Sequence, residues 1–159
     1  MEHNHTNWQQ SVTGVVIRER KVLLARHTYG PGKGRLIVPG GYVQEGETPE
    51  DALKREFLEE TKVTVEPRRV IGIRFNAHDW YVAFAADYIS GTASSDQDEN
   101  DLVVWLDAAE ALTREDVPDL TKKLIQAAQR PDSGFPLVPY ESRVRSGPGT
   151  LYCIPPKED

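Results

Sequence analysis

The chain has 159 residues, 28% of them charged, a net charge of -6 and a mean hydropathy of -0.53. That length fits one domain, expected over 1–159, with a real hydrophobic core and no room for a second catalytic domain. No apolar run nears the roughly 18 to 20 residues of a membrane span, and the acidic balance argues against a protein that coats nucleic acid. The opening MEHNHTNWQQ has neither the basic nor the apolar stretch of a secretory signal, so the cytoplasm is the expected compartment. A single cysteine, Cys153, forbids an internal disulfide and fits a reducing environment.

Residues 1–9 read as an N-terminal tail. Segments 11–17 and 21–25 are β-branched and apolar and flank the charged turn Arg18-Glu19-Arg20, which predicts a hairpin. A glycine-rich loop, Gly30 to Gly34, precedes the short apolar run Leu36-Ile37-Val38 and then Pro39-Gly40-Gly41. The loop does not match a P-loop, because Gly34 follows Lys33 where Ser or Thr is required. Arg26, His27, Lys33 and Arg35 nevertheless gather positive charge within ten residues, and Arg26, Lys33 and Arg35 are the candidates for binding an anionic substrate.

The best-defined helix follows. Thr48 serves as N-cap, Pro49 takes the first helical position and Asp51 completes a capping box, with the helix running to about Thr61. Strands are expected over 63–75, interrupted at Pro67, over 80–89 and over 102–106, giving a mixed sheet. Asp107 caps a short helix to Leu112, and 118–129 forms a last helix with Leu120, Leu124 and Ala127 or Ala128 on its apolar side. From 131 to 159 lie six of the eleven prolines and three glycines, an extended Pro-rich segment. Its Phe135, Leu137, Tyr140, Leu151, Tyr152 and Ile154 are too apolar for a solvated linker, so it should pack on this chain or on a second copy as a homodimer.

On the capped helix, Glu56, Glu59 and Glu60 stand at offsets of zero, three and four and share one face, while Leu53 and Phe57 turn toward the sheet. On an exposed helix such neighbours cost only about 0.2 to 0.5 kcal/mol per pair, so a solvated acidic face is the ordinary alternative. Partly buried, two such charges about 4 Å apart repel by roughly 4 kcal/mol at an effective dielectric of 20. A divalent cation removes that repulsion, and hard oxygen ligands select Mg²⁺, Mn²⁺ or Ca²⁺.

The wider spacing decides between them. Gly41, five residues, Glu47, seven residues, then Arg55-Glu56-Phe57-Leu58-Glu59-Glu60-Thr61-Lys62-Val63 resembles the Nudix box, G-x5-E-x7-R-E-U-x-E-E-x-G-U, with U bulky and apolar. Six specified residues match, a coincidence expected roughly once in 10⁷ starting positions at ordinary residue frequencies. The resemblance is motif-grade over 34–63 and topological over about 10 to 130. It implies an α/β fold, an α/β/α sandwich around a mixed β-sheet. It also implies metal binding by Glu56, Glu59 and Glu60 with the Gly40 carbonyl, Arg55 holding these carboxylates, and Glu47 supporting the loop or a second shell of the metal.

Mg²⁺ is the cofactor implied, with Mn²⁺ as an alternative, and Glu59 is the first choice of general base. Outside the box, Glu99, six residues before Trp105, lies where some family members carry a further catalytic or metal-binding acid; Asp98 and Asp101 compete with it. Trp105 reads as core, and Trp80 and Tyr81 read as packing residues before nucleobase platforms. His3, His5, His27 and His78 lack the spacing of a zinc site. Two positions depart from the pattern: Lys62 replaces the glycine that ends the helix, and Leu36 stands where many members have tryptophan.

These readings point to a metal-dependent hydrolase that cleaves a diphosphate linkage in a nucleoside diphosphate joined to another moiety. The competing reading is a binding module of the same fold that senses a nucleotide without cleaving it. Retention of every box carboxylate and of Arg55 favours the enzyme.

Overall fold

The computed structural model describes residues 9–145, 147 and 149–158. His3 and His5, and all but the last residue of the expected 1–9 tail, lie outside them. Eight strands and three helices are ordered β1 (Gln9–Arg18), β2 (Lys21–His27), β3 (Leu36–Ile37), β4 (Gly40–Tyr42), α1 (Pro49–Thr61), β5 (Thr64–Phe75), β6 (Asp79–Ser90), β7 (Asn100–Asp107), α2 (Ala108–Ala111), α3 (Asp119–Ala128) and β8 (Phe135–Pro136).

The sheet is mixed because β1 lies parallel to β6, from Gln9 opposite Asp79 to Val16 opposite Ala86, and antiparallel to β4 and β2. The expected hairpin closes through Glu19 and Arg20, both left-handed, but only Ile17–Val22 and Arg18–Lys21 pair across it. β2 then peels away from β1 to run against β7 and β3. This fork leaves the middle of β1 inside the protein with both faces covered, so its five consecutive residues 12–16 are buried without any alternation.

Two apolar layers follow. Val12, Val16, Leu23, Phe84, Val65 and Val70 meet Ala52, Leu53 and Phe57 of α1 on one face. Val15, Val22, Leu24, Ala83 and Leu106 meet α2 and α3 on the other. This is the expected α/β/α sandwich. Gly14 lets β1 pass directly beneath α1, since a Cβ there would stand 3.0 Å from the Phe57 ring and 3.1 Å from Leu53.

Several details differ from the sequence reading. β5 runs through Pro67 without breaking and absorbs it in a bulge between Pro67 and Arg69. On α3, Thr121 and Ile125 are buried with Leu124, whereas Leu120 is 38% exposed. The inward face keeps the expected Leu124, with Ala128 packed beside it, and takes Thr121 and Ile125 in place of Leu120. The Pro-rich segment packs on its own chain: β8 pairs with Arg69 and Val70 of β5, Leu137 bridges Tyr152, and the Tyr152 ring meets Phe84 at 5.5 Å. The hydroxyls of Thr150 and Tyr152 both donate to Glu50 in the first turn of α1.

Both ends of α1 are secured. Thr48 Oγ1 accepts from Asp51 N at 3.2 Å, with Pro49 next in line. At the other end Lys62 takes a left-handed conformation, φ 63 and ψ 15, and its N–H bonds the Leu58 carbonyl at 3.1 Å. Thr61 Oγ1 donates to Phe57 O at 2.6 Å, and Lys62 Nζ donates to Glu59 O at 2.8 Å. A left-handed non-glycine residue costs about 1 kcal/mol. Lys62→Gly relieves that strain but loses the Nζ bond and adds freedom to the unfolded chain. The expected outcome in denaturant unfolding is a gain in stability of less than ~1 kcal/mol; a loss larger than that would mean the ammonium contact outweighs the strain.

Candidate active site

The residues after β3 and the helix that follows them place the acidic side chains. β4 pairs with β1 and delivers Gly40 and Gly41 under the acidic face of α1. Gly41 faces the Glu56 carboxylate so closely that a Cβ would overlap it, and a Cβ on Gly40 would strike the Val12 carbonyl. Glycine at position 40 is what lets the chain pass this close to β1, and glycine at 41 leaves room for the Glu56 carboxylate.

Arg55 gathers the first group of acids. Its Nε donates to Glu47 Oε1 at 2.5 Å and Nη2 to Glu47 Oε2 at 3.0 Å, a forked pair. Nη1 reaches Glu56 Oε1 at 2.9 Å and Glu59 Oε2 at 3.2 Å, and Nη2 also donates to the Tyr42 carbonyl at 3.1 Å. Glu47 Oε2 accepts in addition from Gln44 N at 2.9 Å. Arg55 holds the Glu47 carboxyl below its ordinary value, and the same bonds raise the guanidinium.

Glu60 is different. It is 2% exposed, and its Oε2 receives a long hydrogen bond, 3.4 Å, from Gly40 N. Among the described residues no Lys, Arg or His forms an ion pair with it. Burial, and then the charges of Glu56 and Glu99, push its carboxyl up to about 8. Burial also raises Glu56, against the opposing effect of Arg55.

Glu56, Glu60 and Glu99 each offer a carboxylate oxygen within 4.8 Å of the other two. Three hard oxygens around one point, one of them buried and without a cation, match the preference of Mg²⁺ or Mn²⁺. Glu59 stands outside this trio, 59% exposed, with its Oε2 on Arg55.

The carboxylates form one side of a cleft of ≈ 600 Å³. Tyr29, Gly30, Pro31 and Gly32 contribute from the glycine-rich loop, and Tyr42, Gln44, Arg55 and Glu59 from the helix side. Burial, followed by the charges of Glu99, Glu60 and Glu56, raises the Tyr29 phenol, which locates it near the trio. Ser11, Thr13, Arg74, Asp79 and Tyr81 line the cleft as well. Arg74 donates twice to Asp79, at 3.0 and 3.2 Å, and lies 4.9 Å from the centre of the Tyr81 ring.

Of the candidates named from sequence, Gly40, Arg55, Glu56, Glu59, Glu60 and Glu99 line this cleft. Glu47 reaches it through Arg55. Arg26, Lys33 and Arg35 are not among the lining residues: Arg26 pairs with Asp101 at 2.7 Å, and Lys33 and Arg35 are exposed. Arg74, Asp79, Tyr29 and Tyr81 carry no local motif; alternation along β5 and β6 could have marked which way Arg74, Asp79 and Tyr81 face, and nothing local marks Tyr29 on its loop. Trp105 packs against Tyr88 at 6.0 Å, and Trp80 against Phe75 at 5.2 Å.

Comparison with known proteins agrees with this architecture. The pattern of the NUDIX domain family matches residues 8–128. An ADP-ribose pyrophosphatase of Methanocaldococcus jannaschii is 31% identical over 94 residues, covering 55% of this chain and 56% of that protein. The oxidized purine nucleoside triphosphate hydrolase of Mus musculus is 37% identical over 91 residues, 53% of this chain and 58% of the relative. The match thus spans little more than half the length of these relatives. The crystal structure of a MutT NUDIX hydrolase from Burkholderia pseudomallei superposes with a TM-score of 0.67 over 75% of this chain and 96% of that one, at 20% identity. No helix among the described residues is long and apolar enough to cross a membrane.

The state of Glu60 yields a measurable pH dependence. In EDTA the folded protein holds the Glu60 proton more tightly than the unfolded chain, whose carboxyl keeps its ordinary value of 4.5. The stability contributed by this group is complete below about pH 4.5 and is lost as pH rises through about 8. Glu60→Gln removes that loss. In EDTA the variant is expected to melt above the parent at pH 8 and close to it at pH 4.5; equal melting temperatures at pH 8 would contradict the buried, uncompensated state of Glu60.

Proposed function

Because this chain belongs to the Nudix family, we propose that it is a divalent-cation-dependent hydrolase of a diphosphate linkage in a nucleotide-like small molecule. The observation that carries this reading is the convergence of Glu56, Glu60 and Glu99 around one point, with Glu60 buried and unpaired by any cation of the described residues. A nucleotide-sensing module of the same fold has no need for such an arrangement, which costs folding free energy whenever its charges are uncompensated.

In this reading Glu56, Glu60 and Glu99 hold Mg²⁺ or Mn²⁺, with Gly40 bordering the site. The ion, when bound, offsets diphosphate charge and acidifies the attacking water. Arg55 bridges and orients Glu56 and Glu59 through its Nη1, and Glu47 holds Arg55 from behind. Glu59 is the general base. Its Oε2 is bonded to Arg55, which leaves Oε1 at the rim of the cleft to take the proton from water as it attacks phosphorus. Tyr29 and the Gly30–Gly32 backbone flank the phosphates, while Arg74, Asp79 and Tyr81 receive the remainder of the substrate. Lys33 and Arg35, on the same loop, supply positive charge at the approach to the cleft, and Arg26 braces the start of β7 through Asp101. The net charge of -6 favours a small substrate over a nucleic acid, and the lone Cys153 fits work in the cytoplasm.

A panel of ADP-ribose, dinucleoside polyphosphates, nucleotide sugars and noncanonical nucleoside triphosphates, each with Mg²⁺ and with Mn²⁺, tests the activity by release of phosphate or mononucleotide. Glu60→Gln and Glu59→Gln are each expected to lower turnover on the accepted substrate by at least ~10²-fold, because an amide keeps the shape but loses the charge. The reading fails if no compound is cleaved with either ion, or if both variants turn over at the parental rate.

A further inference from the structure

Asn100 begins β7, one residue after Glu99, and is 1% exposed. Its Nδ2 donates to the Glu60 carbonyl at 2.9 Å. That carbonyl lies in the last turn of α1, where a helix leaves acceptors without an intrahelical N–H and where this helix has no basic residue. Reversing the amide would set its oxygen against the carbonyl oxygen, so the donor orientation is fixed by the contact. The same orientation leaves Oδ1 buried with no hydrogen-bond partner. An apolar side chain at this strand position would carry no such penalty. The amide is accounted for by what its Nδ2 holds.

The segment leading to Asn100 is anchored on both sides. Toward α1, Ser94 N donates to Thr61 O at 3.0 Å. Toward β2, Thr28 N donates to Glu99 O at 3.1 Å and Thr28 Oγ1 to Asp98 O at 2.7 Å. Asp96 Oδ1 accepts from the N–H groups of Asp98 and Asn100, which tightens the turn between them. The Glu99 backbone is therefore held between a threonine on one side and an asparagine tied to α1 on the other, while its exposed side chain reaches the Glu56–Glu60 pair.

We propose that Asn100 is a positioning residue. By tying the start of β7 to the Glu60 carbonyl, it sets Glu99 at bonding distance from a cation shared with Glu56 and Glu60. This rests on the trio being a cation site, as proposed above. A residue that merely finished α1 would act without regard to Glu99, whereas a positioning residue acts through it, and a double-variant cycle separates the two.

The measurement is Mn²⁺ affinity of the full chain, read from loss of the free-ion paramagnetic resonance signal, for the parent, Asn100→Ala, Glu99→Gln and the double variant. Asn100→Ala is expected to weaken binding by about 10-fold or more, in the range typical of groups that orient a metal ligand. In the Glu99→Gln background the same change should weaken it by less than about twofold. An equal effect in both backgrounds, or none in either, overturns the proposal. Should Asn100→Ala fail to fold, Thr28→Val removes only the Thr28 Oγ1 bonds to the Asp98 and Glu99 carbonyls, and the same cycle with it is expected to give a smaller effect that again vanishes with Glu99→Gln; persistence of the effect there overturns the proposal. A parent that binds Mn²⁺ no better than Glu60→Gln overturns the cation reading itself. A parent and Glu99→Gln that differ, with Asn100→Ala matching the parent, overturns the role of Asn100 alone.

Discussion

Too many negative charges for the cations at hand is the constraint on which this molecule is organised. Arg55 is engaged with Glu47, Glu56 and Glu59 and with the Tyr42 carbonyl. Among the described residues no cation forms an ion pair with Glu60 or Glu99. Two carboxylates at this separation in a partly buried setting repel by several kcal/mol, comparable to a large part of a domain's net stability. The protein tolerates this because α1 is fastened independently of the acidic face, through Leu53 and Phe57 into one apolar layer and through caps at both ends. Rigidity supplied by packing on one side of the helix permits repulsion on the other.

Much of the fold was legible because its signals were local. Thr48, Pro49 and Asp51 mark the start of α1 by chemistry that needs no tertiary partner, and Asp107 does the same for α2. The alternation of apolar runs and turns located the strands. Pairing was not legible in the same way. That β1 runs parallel to β6, and that β2 leaves β1 after two paired residues to join β7, depends on contacts far apart in sequence. On α3 the same limit shows at one position, Leu120. Leu120 has the right polarity to be buried, but Thr121 lies on the side that the sheet covers, and burial follows direction rather than residue type.

The site divides along the same line. Glu47, Arg55, Glu56, Glu59 and Glu60 sit at spacings set by one loop and one helix, so a short stretch of sequence contains their whole arrangement. Arg26, Lys33 and Arg35 looked like anion binders by charge alone, yet Arg26 is engaged with Asp101 and the cations lining the cleft are Arg55 and Arg74. Arg74 comes from the end of β5, Asp79 from the start of β6 and Tyr29 from the loop after β2, and only the sheet brings them near α1. Asn100 was invisible for a further reason: its contribution is one hydrogen bond to a backbone carbonyl, which leaves no mark in composition or spacing.

The grip of Thr150 and Tyr152 on Glu50 joins residues 100 and 102 positions apart. Chains are made in one direction at about 5–20 residues per second, so α1 emerges some 5 to 20 s before the segment that fastens its first turn. Through that interval Glu50 lacks both of its hydroxyl partners. During synthesis this contact can form only once residues 150–152 have emerged, by which time every strand of the α1 floor has been made.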